Sequence, residues 1–133
     1  MGWTLGLGRL ADLARGATIL GTGGGGDPFI GRLLVEQAIR EHGPITILDP
    51  DEVDDDAFVI PTAQMGAPTV MVEKIPRGTE PEMALRVLEK HLGRTADATM
   101  PIECGGINSM IPLLGGARTG LPVVDADGMC RAF

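Results

Sequence analysis

The chain has few aromatic residues: three Phe, one Trp and no Tyr among 133 residues. Its core must therefore be assembled from Leu, Ile, Val, Ala and Met. Cysteine is scarce as well, at two. Neither Cys104 nor Cys130 has a second cysteine at metal-ligand spacing, so no structural zinc site is expected and no disulfide framework is needed. No basic cluster offsets the net charge of −7, which leaves nucleic acid or an anionic membrane without an electrostatic footprint. An apolar run of the roughly 20 residues that span a bilayer is missing, as is a basic N-terminal segment leading into an apolar core. These absences predict a cytoplasmic chain with no membrane partner. The length fits one domain, 1–133, able to bury about two-thirds of its unfolded surface.

Glycine is abundant, at 20 residues. Five of these fall within Gly21-Thr22-Gly23-Gly24-Gly25-Gly26. Such a run is entropically costly to order, and a fold keeps it where side chains would obstruct a ligand or another stretch of backbone. It follows Ala17-Thr18-Ile19-Leu20, read as a short strand or extended entry. It precedes Asp27-Pro28, an N-cap and first helical residue that predict a helix to about Glu41. Strand, glycine turn and helix together can bind an anion or carbonyl oxygen through backbone N–H groups. The spacing Gly21-x-Gly23-x-x-Gly26, with Asp49 ending the next strand, also matches the dinucleotide fingerprint. Against that reading, Asp27-Pro28 opens its helix beyond the run rather than within it.

The rest of the chain alternates helical and extended segments. A helix over Gly8 to Arg15 is expected to close at Gly16, and a strand is expected at Ile45 to Leu48. Asp49 to Asp56 is an acidic loop that fails the calcium-loop template, since it has neither the turn glycine nor the final glutamate. Strands are expected at Ala57 to Thr62, Ala96 to Ile102 and Leu121 to Val124. A Thr79-x-x-Glu82 capping box opens a helix that ends at Gly93, and helical turns run from Asn108 to Thr119. Ile30, Leu33, Leu34, Gln37 and Ala38 form the expected inner stripe of one helix, and Ala84, Leu85, Leu88 and Leu92 that of the other. His42 and His91 fall in last turns, as partners of the helix dipole rather than ligands. Thr69 to Val72 fits neither period. The alternation predicts an α/β fold with a mostly parallel open sheet and helices on both faces.

Ligands of such sheets bind at the carboxyl ends of the strands. The glycine run, Gln64 to Pro68, Glu103 to Asn108 and Asp125 to Gly128 all fall there on this reading. Taken singly, Glu103-Cys104-Gly105-Gly106 also reads as a plain turn, and Asp125 and Asp127 as caps. Cys104 is a poor nucleophile, because a neighbouring carboxylate raises a thiol's pKa and no histidine is placed to activate it.

Four motifs carry a family resemblance: ILGTGGGGDP at Ile19 to Pro28, MGAPTVMVEK at Met65 to Lys74, PIECGGINS at Pro101 to Ser109 and LPVVDADGMCRAF at Leu121 to Phe133. Together they resemble the N-terminal domain of the S-methyl thiohydantoin desulfurase-like family, which is associated with hydantoinase/oxoprolinase proteins. Cys130 stands where the family motif has Gly, and relatives continue beyond this point into a second domain. The resemblance implies the N-terminal part of a hydrolase acting on hydantoin-like five-membered rings, with water attacking the ring carbon that bears sulfur. Its ligand would be a cyclic ureide or thiohydantoin, and its partner a second copy or a hydantoinase-type protein. Such chemistry needs a carboxylate base, donors for developing charge and a wall matched to a flat ring. Glu103 is the first candidate base and Asp127 the second, with Asp125 as a partner that could hold a water or a divalent metal. Thr22, Gly23, Gly24 and Gly25 would supply backbone N–H groups along the ring. Gln64, Met65, Gly66, Gly105, Gly106 and Asn108 complete the candidate binding set, Asn108 and Gln64 each offering a donor and an acceptor. Two other readings stay open: a dinucleotide-binding domain, and a non-catalytic assembly domain of a hydantoinase-like complex.

Overall fold

In the computed structural model of the protein, which describes residues 1–131, the first apolar pattern forms one long helix, α1 (Leu7–Gly21). Its buried positions, Leu10, Ala14, Ala17 and Gly21, recur every three or four residues and make a continuous stripe. The expected stop at Gly16 and the expected strand at 17–20 are therefore corrected to helix. An interior glycine costs a helix about 1 kcal/mol, and the stripe that continues through Ala17 outweighs it. Thr22 ends the helix in a left-handed conformation (φ 47°), its N–H bonded to the Thr18 carbonyl. Ala132 and Phe133, the end of the last family motif, lie outside the described residues.

The next helix, α2 (Pro28–His42), starts as expected, with the Asp27 side chain accepting from the Phe29 N–H at 2.8 Å. Its buried stripe is Gly31, Val35, Ala38 and Ile39; of the expected set Ala38 is buried and Leu34 packs half-buried on the core, while Leu33 is 45% exposed. The sheet comprises β1 (Trp3–Leu5), β2 (Ile45–Leu48), β3 (Val59–Thr62), β4 (Ala98–Pro101) and β5 (Val123–Val124). Their order is β1-β2-β5-β4-β3, and only the β1–β2 pair is antiparallel. β1 was not foreseen, because three residues are too few to show an alternating pattern. The acidic segment contains a 3-10 turn, Pro50–Glu52, held by a reciprocal cap between Asp49 and Glu52.

Three helices follow β3: α3 (Pro68–Glu73), α4 (Glu80–Leu92) and α5 (Ile111–Thr119). The ambiguous segment 69–72 is thus helical. The class is the expected one, α/β with a mostly parallel open sheet packed by helices. The helix layer is uneven between the two faces. Steps from β3 to β4 and from β4 to β5 run in the same direction along the sheet, so right-handed crossovers put α4 and α5 on the same side. The reverse step, β2 to β3, is made by the acidic segment. On β2, Ile45 and Ile47 are buried in the helix-side core while Thr46, on the other face, is exposed.

α5 is the hub. Seven of its residues, Ile111 to Ala117, are buried, and it packs against α2, α4 and the four strands β2 to β5. α4 lies outside it and is rotated from the expected stripe: Pro81, Leu85 and Glu89 face inward, while Leu88 and Leu92 are exposed. The expected capping box does not form. Thr79 has a helical backbone and makes no side-chain cap, and Glu82 instead accepts from Arg118 on α5 at 3.1 Å. Glu89 turns inward because it has partners there. It accepts from the Ala96 N–H at 2.8 Å and from Arg86 at 2.9 Å, and those bonds hold its carboxyl below the usual range.

The helical assignment at Gly16 is directly testable. Gly16 has open space around the position of a Cβ and is not among the positive-φ glycines. Gly16→Ala is expected to raise stability in urea unfolding by about 0.5–1 kcal/mol. A loss of stability would instead favour a left-handed helix end at this position.

Candidate functional site

The glycine run joins α1 to α2 and crosses the backbone that follows β4. The Ile107 N–H donates to the Gly25 carbonyl at 2.7 Å, and the Gly106 N–H to the Gly24 carbonyl at 3.3 Å. At this crossing there is no room for side chains. A Cβ on Gly25 would overlap the Cα of Gly105, and one on Gly105 would overlap both the Gly25 Cα, at 2.6 Å, and the Glu103 carboxylate. Gly25 also has φ 72°, a conformation that costs an L-residue roughly 1–2 kcal/mol. The bareness of Gly25 is thus required by another backbone. Because the run lies between two helices, the strand that a dinucleotide fingerprint needs before its glycines is not there.

The crossing delivers Glu103 and Asn108 to one spot. Both are buried, 6% and 7% exposed. Asn108 Nδ2 donates to Glu103 Oε1 at 2.6 Å and to the Gln64 carbonyl at 3.2 Å, while Asn108 Oδ1 accepts from the Gln64 N–H at 2.8 Å. Asn108 therefore braces the end of β3 against the loop after β4, and both of its amide hydrogens are spent in doing so. Two oxygens beside this brace are buried without a protein partner: Glu103 Oε2 and Gln64 Oε1. A buried acceptor without a donor costs about 1–3 kcal/mol, a cost a ligand can relieve.

Asp127 is committed elsewhere. Its Oδ1 accepts from the Met129 N–H at 3.0 Å and from the Cys130 N–H, and its Oδ2 accepts from the Cys104 thiol at 2.9 Å. That makes it the cap of the final turn. Burial first, then the Asp127 carboxylate, pushes the Cys104 thiol up to about 12, so it stays protonated and serves as a donor. Cys130 has φ 68°, a left-handed conformation that glycine adopts more readily than any other residue. Asp125 is exposed, and its N–H bonds the Leu48 carbonyl. Among the described residues, no group of three His, Cys, Asp or Glu side chains is assembled that could hold a metal ion. Glu103, Asp125 and Asp127, left open as a possible oxygen set, are not gathered into such a group.

A cleft of about 750 Å³ opens beside the crossing, at the carboxyl ends of β3 and β4. This volume is in the usual range for small-molecule sites. Of the candidate residues, Gly25, Gln64, Met65, Gly66 and Asn108 line it. Thr22, Gly23, Gly24, Gly105, Gly106, Glu103, Asp125 and Asp127 do not. Glu103 stands behind Asn108, and Thr22 accepts from Arg131 at 3.3 Å. The lining also includes Ile30, Ile107 and the α3 residues Val70, Met71 and Val72. None of these was foreseen. The only sequence signal was the apolar side of α3, in a segment whose period is unreadable.

Fold and site together define an α/β domain in which two crossing glycine backbones hold a braced carboxylate behind a cleft at the sheet's carboxyl edge. The chain belongs to the S-Me-THD-like, N-terminal domain family, whose sequence profile matches residues 8–133. In three dimensions it is similar to a protein from Chromobacterium violaceum whose X-ray crystal structure was determined by a structural genomics consortium. The TM-score is 0.80 at 29% sequence identity, covering 98% of this chain and 36% of the other. The chain thus spans about a third of the length of that protein. No curated protein matches it. Among the described residues, no helix is long and apolar enough to cross a membrane.

The crossing separates two glycines of the same run by their tolerance. Gly25→Ala is expected to cost more than about 3 kcal/mol or to prevent folding, since the obstruction is backbone on both sides. Gly23→Ala, which has positive φ but open space around the Cβ position, is expected to cost only about 1–2 kcal/mol. Equal melting temperatures for the two variants would contradict the crossing.

Proposed function

We propose that this chain is the N-terminal, ring-binding domain of a hydrolase that acts on hydantoin-like five-membered rings, of the thiohydantoin desulfurase type. The observation that carries the reading is the Glu103–Asn108–Gln64 brace at the cleft, with its two unpartnered acceptor oxygens. A cyclic ureide presents a flat edge of alternating N–H and C=O groups, and its N–H is the donor that Gln64 Oε1, on a residue lining the cleft, lacks. Family membership supports the same ring chemistry.

In the proposed reaction, Glu103 takes a proton from water as the water oxygen bonds to the ring carbon bearing sulfur. The ring C=N π pair moves onto the ring nitrogen, which takes up the hydroxyl proton as the tetrahedral centre collapses to C=O; the C–S bond breaks, and Glu103 returns its proton to the departing sulfur. A ring carbonyl and a free thiol result. Asn108 orients the carboxylate by holding Oε1, which leaves Oε2 to move the proton. Gln64 reads the ring edge, a role that falls to it because Asn108 has no amide hydrogen to spare. The crossing holds these groups in place without filling the cleft. Asp127 and Asp125 take no part in this scheme. In full-length protein assayed for thiol release from S-alkyl thiohydantoins, Glu103→Gln is expected to lower kcat by about 100-fold or more while leaving the melting temperature within a few degrees. Wild-type turnover in that variant would remove Glu103 from the mechanism.

A second reading, assembly with another copy or a hydantoinase-type partner, is supported by α4. Its outward face carries Met83 and Val87, at 63% and 69% exposure, and Leu88 and Leu92, nearer the packed side, are 40% and 51% exposed. Exposed apolar side chains gathered on one helix suit an interaction surface. If this reading holds, Val87→Glu lowers the oligomeric mass seen by light scattering without changing the monomer's melting temperature. An unchanged mass argues against it.

A further inference from the structure

We infer that the ring this cleft accepts carries an uncharged, apolar substituent, seated between α3 and Ile30. The inference rests on the ring-binding reading above and adds which member of that class the site takes. Its first support is charge. None of the residues lining the cleft is Lys, Arg or His, and the one ionisable side chain is Asp27, which is acidic. Asp27 is also tied to the start of α2 through Phe29. A carboxylate or phosphate on the ring would therefore enter without a counter-ion and meet a like charge, and burying an unpaired charge is strongly unfavourable.

The second support is the opposite wall. Ile30, Ile107, Val70, Met71 and Val72 make up the apolar part of the lining. No residue of α3 is buried, and Val70 and Val72 are 46% and 75% exposed. This helix therefore presents apolar side chains across the cleft with no protein partner against them. A hydrocarbon chain on the ring would fill that gap, with the polar ring edge directed to Gln64. Each methylene brought out of water there should raise affinity by about fourfold.

The test is calorimetric titration of the full-length protein with three ligands: unsubstituted hydantoin, 5-butylhydantoin, and the 5-carboxyethyl analogue of similar length. The inference expects the butyl compound to bind more than about 10-fold tighter than the parent ring and than the carboxyethyl compound. It also expects Val72→Lys, a change at an exposed position, to narrow or reverse the preference between the two substituted rings. Tighter binding of the carboxyethyl compound to the wild type, or an undiminished preference for the butyl compound in Val72→Lys, overturns the inference while leaving the ring reading standing. Absence of binding by all three overturns the ring reading, and this inference with it.

Discussion

Two strands of backbone in contact, Gly25 against Gly105, are the constraint on which the rest of this structure depends. The contact ties the α1–α2 connection to the loop after β4, two segments about 80 residues apart in sequence. Its hydrogen bonds from Ile107 and Gly106 replace the water that both loops would otherwise need. From it follow the seating of α2 on α5 and the position of Glu103, whose carboxylate lies under the bare Cα of Gly105. Adding one methyl group at either glycine would push the crossing apart, and at Gly105 it would displace the carboxylate as well.

The same crossing explains how a costly arrangement persists. Glu103 Oε2 and Gln64 Oε1 are buried without donors, which the fold tolerates because the surrounding backbone is fixed by other bonds. Asn108 contributes three of those bonds, two with the Gln64 backbone and one with Glu103. The last turn, closed by Asp127, adds the Cys104 N–H to Cys130 carbonyl bond and the Gly128 N–H to Ile102 carbonyl bond alongside. Glu103 is thus a buried carboxylate with one oxygen unpartnered, whereas Asp127 is spent on closing the last turn.

What could be read from the sequence was local. Asp27-Pro28 announced α2 because an N-cap and a proline at the first helical position act within a few residues. The four strands β2 to β5 and the mostly parallel sheet were legible because short β-branched runs alternate with helical ones, whereas the strand read at 17–20 is helix and β1 was missed. Gly16 misled because a mid-helix glycine and a helix-ending glycine look identical until the packing of Ala17 is known. α4 misled because Glu89 finds partners inside, an outcome set by Ala96 and Arg86 rather than by periodicity. At the site, the candidate residues were named from motif and resemblance, but the division of labour among them was not legible. The brace joins Gln64 to Asn108 across 44 residues, and no local pattern distinguishes Asp127 the cap from Glu103 the buried carboxylate. The glycine run was taken chiefly as a wall for the ring, whereas Gly25 and Gly105 are bare because each faces the other's backbone.

The most direct measurement is native-state hydrogen exchange of the Ile107 amide, which donates to the Gly25 carbonyl at the centre of the crossing. If the crossing holds the fold together, this amide exchanges only through global unfolding, and its protection matches that of the core amides of α5. Exchange at the rate of an open loop, with α5 still protected, would contradict the account.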